Sequence, residues 1–85
     1  MSSFYSEEEK ITYDRAGVVV RRFLTRHCDL RETATVVDVC KAMDVDRSNH
    51  NQIRIRKAMD YYCPGEREGG PRKRFDLPEE APEDA

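Results

Sequence analysis

Between Thr33 and Leu77 the hydrophobic pattern runs through a short helical stripe, a polar turn, a second helical stripe and then strict alternation. Val36, Val39, Cys40 and Met43 recur at i, i+3, i+4 and i+7, the spacing that puts four side chains on one face of a two-turn helix. Thr35 has the chemistry to cap that helix, Asp38 stands at the reciprocal position, and Asp38 and Lys41 are expected to face solvent. Just ahead, Thr33-Ala34 suits a brief strand.

The chain turns polar from Asp44 to Asn49, and either Asp46 or Ser48 can cap the next helix. Ile55, Met59 and Tyr62 then supply an i, i+4, i+7 core stripe, with Ala58 beside it. The outward faces are expected to offer Asn51, Gln52, Arg54, Arg56 and Lys57. Asn and Gln pair bidentately with adenine, Arg with guanine, and Lys or Arg with phosphates, so this helix has the composition of one that enters a DNA groove. Its N-terminal part, Ser48 to Arg54, is expected to carry the base contacts. Ile53 lies off the main stripe and suits either a second-layer core position or contact with a thymine methyl.

After Tyr61-Tyr62-Cys63, Pro64-Gly65 and Gly69-Gly70-Pro71 punctuate the chain as turn residues do. On the return, Lys73, Phe75 and Leu77 alternate with Arg72, Arg74 and Asp76. That period of two predicts a strand that buries Phe75 and Leu77 and leaves Arg72 and Arg74 outward, the second arm of a basic hairpin.

Upstream, Ser6 and Glu9 form a capping pair, which predicts that a first helix begins at Ser6. Ala16, Val20, Phe23 and His27 share one face of it, joined by Val19 and Leu24, with Arg15, Arg21, Arg22 and Arg26 largely elsewhere. Gly17 and the β-branched run Val18-Val19-Val20 weaken that helix, so a division into two between Thr12 and Gly17 is an open alternative. His27 reads as a residue at the edge of the stripe.

Charge is divided along the chain. From Arg47 to Arg74 there are eight cations against three anions, +5, whereas residues 1–46 carry −2 and the end from Phe75 onward −5. The basic stretch coincides with the third helical segment and the hairpin, the elements that the fold would present to DNA, and a solvated charged surface is the plain alternative. At 85 residues the chain holds one small core and no separate catalytic domain, so it is not expected to be an enzyme. No apolar run has the length of a membrane span, and the acidic start is unlike a signal peptide; the expected location is the cytoplasm.

Cys28, Cys40 and Cys63 are odd in number and widely spaced, which suits neither a disulfide framework nor paired zinc ligands, so reduced thiols and no cofactor or metal are expected. The chain divides into an arm at 1–5, a domain at 6–77 and an acidic tail at 78–85 whose Pro, Glu, Asp and Ala leave nothing to bury and predict disorder.

Thr35 to Leu77 resembles the winged helix-turn-helix superfamily, and Ile-Arg-Lys-Ala-Met-Asp-Tyr-Tyr at 55–62 is similar to its third helix. The resemblance covers roughly half of the chain. It implies a mainly α fold with a small β-hairpin (α+β), three helices plus a wing, and a small transcriptional regulator that binds double-stranded DNA. The recognition helix would lie in the major groove and the wing on the backbone. The residues it assigns to DNA are Arg47, Ser48, Asn49, His50, Asn51, Gln52, Arg54, Arg56 and Lys57, with Arg67, Arg72, Lys73 and Arg74 from the wing. The segment between the second helix and Ile55 is longer than the superfamily's usual tight turn, and two acids stand in the wing tip. Such proteins commonly pair on two half-sites, so a homodimer through the first helix is a further expectation, with Phe4, Tyr5, Ile11 and Tyr13 as candidate contacts. Two other roles fit the same residues: a protein-interaction module of transcription or replication machinery, and a small metal or redox sensor using His27 and the thiols.

Overall fold

The computed structural model describes residues 10–67 and 73–82. In chain order the elements are α1 (Tyr13–His27), β1 (Thr33–Ala34), α2 (Val36–Ala42), α3 (Asn49–Tyr62), β2 (Gly65–Arg67) and β3 (Arg74–Asp76). The described residues are thus mainly helical, with a small antiparallel sheet in the order β1-β3-β2.

The helix start predicted at Ser6 lies outside the described residues. Among those described, Ile11 and Thr12 are not helical, and Thr12 takes the N-cap of α1, its hydroxyl accepting the Arg15 amide at 3.0 Å. The boundary falls ahead of Gly17, which stays inside the helix. Ala16, Val19, Val20, Phe23 and Leu24 are buried, the i, i+3, i+4, i+7, i+8 face that the pattern called for, and His27 stacks on Phe23 with ring centroids 4.6 Å apart.

Thr35 and Asp38 form a reciprocal capping box on α2, the Thr35 hydroxyl accepting the Asp38 amide at 3.1 Å and the Asp38 carboxylate accepting the Thr35 amide at 2.9 Å. Asp38 is therefore not turned to solvent as expected; it is half-buried and also pairs with Arg31 at 2.9 Å. At the other end of α2, Asp44 adopts φ 58°, and the Val45 amide donates to the Cys40 carbonyl at 2.8 Å. This reversal satisfies carbonyls that the helix end leaves open, with Asp in the left-handed position that Gly usually takes. Of the two candidate caps for α3, Ser48 is the one used, its hydroxyl accepting the Asn51 amide at 3.3 Å.

One core joins these elements. Phe23, Leu24, Val39, Cys40, Ile55, Met59 and Phe75 are essentially inaccessible, and Tyr62 packs at its edge. Phe75 is the hairpin's anchor, and burying a side chain of that size contributes about 1.5–3 kcal/mol. Ala34 stands opposite Phe75, and Glu66 opposite it on the other side, so β3 is the central strand. Leu77 is buried as the alternation predicts, and its amide donates to the Glu32 carbonyl at 2.8 Å. Residues 78–82 carry no regular secondary structure; Pro78, Ala81 and Pro82 are half-buried and Glu79 and Glu80 exposed.

Candidate nucleic-acid interface

The fourteen residues of α3 present three faces, set by the helical period. The first is the core face, and it includes Asn51 as well as Ile55 and Met59. Asn51 is 0% exposed, which corrects the expectation that it points outward to bases. Its Oδ1 accepts the Ile11 amide at 3.0 Å and its Nδ2 donates to the Asp46 carbonyl at 3.0 Å. The physical reason is that a buried amide is tolerated where backbone groups complete its hydrogen bonds. His50 joins the same arrangement, its Nε2 lying 3.1 Å from the Ile11 carbonyl oxygen. As the carbonyl can only accept, the His50 Nε2 must carry the proton in this contact. Asn51 is thus occupied with holding the chain rather than available to a groove, and His50 is half-buried.

The second face turns toward α1. Arg54, Lys57, Ala58 and Tyr61 line an open depression with Tyr13 and Arg21. The Arg54 guanidinium sits 4.5 Å from the Tyr13 ring centroid, a cation–π contact, so Arg54 is half-buried and turned away from the hairpin. Arg21 donates to the Tyr62 hydroxyl at 2.6 Å behind it. Tyr61 is 80% exposed.

The third face turns toward the hairpin. Asn49, Gln52, Ile53 and Arg56, spaced i, i+3, i+4 and i+7, border a cleft of about 320 Å³ whose other walls are Thr35, Val36 and Val37 of the α2 end and Lys73 and Phe75 of the hairpin. Ile53 is half exposed there, which settles its position away from the core. The Gln52 Nε2 donates to the Arg47 carbonyl at 2.7 Å, so its terminal amide is held in place. The first turn of α3 adds the partial positive charge of its unpaired amides. Arg47 is exposed just before it, Lys57 is exposed on the ridge between the second and third faces, and Asp60 is exposed farther along.

The hairpin is less cationic in effect than its sequence suggests. Lys73 pairs with Glu66 at 3.1 Å on the side of the sheet that faces the cleft. Arg67 and Arg74 stand opposite each other on the other side, where Arg67 pairs with Asp76 at 2.7 Å and the Arg74 Nε donates to the Thr33 hydroxyl at 3.1 Å. Arg72 lies outside the described residues. The two strand faces therefore separate Lys73 from Arg74, as alternation requires.

Of the residues singled out in the sequence, the fold brings Asn49, Gln52, Arg56 and Lys73 to one cleft, leaves Arg47 exposed just ahead of α3, sets Lys57 beside the Tyr13 depression, and takes Ser48 into the cap, Asn51 into the core and Arg54 onto Tyr13. Ile53, left open by the sequence between a second-layer core position and an outward one, takes the outward one beside them. The Tyr13–Arg54 contact had no signal in sequence, since it joins two helices far apart in the chain.

The thiols stand apart from both surfaces. Cys40 is buried in the core, and burial raises the pKa of its thiol. Burial, reinforced by the nearby Asp60 and Asp76, pushes the Cys63 thiol up to about 11. Desolvation and the neighbouring Asp29 raise Cys28. Among the described residues no group of three or more His, Cys, Asp or Glu side chains could hold a metal ion, and no helix is long and apolar enough to cross a membrane. No family model, no curated protein and no solved structure matches this chain.

Proposed function

We propose that this chain is a winged helix-turn-helix protein that binds double-stranded DNA and acts as a small transcriptional regulator without enzymatic activity. Helix α3 lies in the major groove and the hairpin flanks it on the backbone. The observation that carries the reading is the common orientation of Asn49, Gln52, Ile53 and Arg56 with Lys73 across one open cleft. The order α1-β1-α2-α3-β2-β3, with β1 added to the edge of the hairpin, supports it, because that order brings a helix–turn–helix and a wing against one core. Arg47, Arg56, Lys57 and Lys73 supply the phosphate contacts, and Asn49 and Gln52 the base edges.

Titration of a labelled duplex at two salt concentrations tests this. About four phosphate contacts imply a slope of roughly −3.6 in log K against log salt, or about a hundredfold loss of affinity between about 50 and 200 mM. Binding that ignores salt, or no binding at the lower concentration, would refute the proposal.

A protein-interaction module is the second reading, favoured by the exposed Tyr13 and Tyr61 beside Arg54 and Lys57 on the opposite flank of α3. The same flank bears on dimerisation through α1. Tyr13 stays available there, whereas Ile11 is engaged by Asn51 and His50 and half-buried against the core. Phe4 and Tyr5 lie outside the described residues.

A further inference from the structure

We infer that the α3 face of the cleft selects A·T base pairs in the major groove, with Gln52 contacting adenine and Ile53 contacting the thymine methyl. The inference rests on the DNA-binding reading above and names the sequence class that the same surface takes.

Gln52 carries the first half. Its Nε2 has two protons, one of which is committed to the Arg47 carbonyl at 2.7 Å. The other proton and the Oε1 remain for the cleft, and together they form a donor and an acceptor side by side. Adenine presents the complement, an N7 acceptor beside an N6 donor, whereas guanine presents two acceptors, O6 and N7, against which the Gln52 oxygen would meet a lone pair. Because the Arg47 carbonyl holds the amide before binding, little rotamer freedom is lost when the pair forms.

Ile53 carries the second half. It is a large aliphatic side chain, 50% exposed, between Asn49 and Arg56 on a face otherwise made of polar groups. The core does not require it there, since Ile55 and Met59 already fill the buried stripe. Of the base edges in the major groove, thymine alone offers a methyl group for it to cover. Gln52 and Ile53 are adjacent in sequence and both border the cleft, so they can address the two bases of one pair or of neighbouring pairs. Arg56, which shares this face, is assigned to phosphate, and Arg54, the cation closest in sequence, is stacked on Tyr13 on the α1 side.

Three duplexes of equal length, alternating dA-dT, dA-dU and dG-dC, test the idea by fluorescence anisotropy at low salt with the full chain. The dA-dT duplex should bind at least about tenfold more tightly than dG-dC, within the range for one good bidentate contact. The dA-dU duplex, which lacks only the methyl groups, should fall a few-fold below dA-dT. Ile53→Ala should erase the difference between dA-dT and dA-dU while keeping discrimination against dG-dC, and Gln52→Ala should reduce that discrimination. Both side chains are accessible, and circular dichroism of each variant checks that the helices persist. Salt-sensitive binding of all three duplexes with equal affinity, or preference for dG-dC, overturns the A·T inference and leaves the DNA-binding proposal standing. Absence of binding to every duplex overturns both.

Discussion

Asn51 Oδ1 accepts the backbone amide of Ile11 at 3.0 Å, tying the residue that precedes the Thr12 cap to the first turn of α3, forty positions away. The Nδ2 of the same side chain donates to Asp46, so one amide fixes both the approach to α1 and the turn before α3. Asn51→Ala would leave a donor and an acceptor without partners, and each such loss costs about 1–3 kcal/mol. Urea denaturation should show a fall of that order. An unchanged midpoint would contradict the role given to Asn51, as would a variant of full stability that loses only sequence preference.

Arg56 and Arg54 stand two residues apart and face different flanks of α3. Arg56→Ala should weaken duplex binding and reduce the salt slope by about 1, as loss of one phosphate contact does. Arg54→Ala should have the smaller effect on binding, because its guanidinium is held on Tyr13. Equal losses from the two substitutions would count against the cleft as the contact surface.

Glu66 occupies Lys73 at 3.1 Å, and the pair is partly solvent-exposed, so it contributes no more than about 1 kcal/mol to stability. Glu66→Gln removes one anion from the cleft side and releases the Lys73 ammonium. Duplex affinity is expected to rise several-fold at low salt, and the gain should shrink as salt screens it. A gain that persists unchanged at high salt would point to a different cause.

Burial pushes the Asp38 carboxyl up, but the Thr35 amide and the Arg31 guanidinium outweigh it and leave the pKa below the ordinary value of 3.8. A lowered folded-state pKa contributes stability that is present above the unfolded value and is lost as pH falls through the folded one. Asp38→Ala should therefore cost about 0.5–2 kcal/mol near neutral pH through loss of the capping box. The gap between the two proteins should close progressively below about pH 4. Denaturation curves across that range report it, and a gap independent of pH would show that the charge of Asp38 is immaterial.

All three thiols have raised pKa values, Cys63 to about 11, so thiolate is scarce at neutral pH. Alkylation by iodoacetamide at about pH 7.5 should be slower in the folded chain than in the urea-unfolded chain, whose cysteines titrate near 8.5. Mass spectrometry after timed quenching distinguishes the sites. Rapid labelling of Cys63 would reopen the metal or redox alternative.

Much of the framework was readable because it depends on periods and caps. The Thr35–Asp38 box, the α2 and α1 stripes and the burial of Phe75 and Leu77 follow from spacing that only one element type satisfies. Asn51 was misplaced for a specific reason: an amide that satisfies two backbone groups and an amide that meets adenine look alike in a sequence. The overlooked clue was that Asn51 precedes Ile55 and Met59 at four-residue steps, on the core stripe itself. Hairpin cations looked free in the sequence because strand register, which pairs Lys73 with Glu66 and Arg67 with Asp76, links residues across the turn.

The placement of β3 between β1 and β2 also governs how the protein meets its own copies. A central strand has both of its hydrogen-bonding rims occupied, and among the described residues the flanking strands span two residues, Thr33–Ala34, and three, Gly65–Arg67. Rims so short offer a poor template for sheet-to-sheet growth, and Arg67 adds charge to one of them. Concentrated protein should therefore not seed fibrils through these strands.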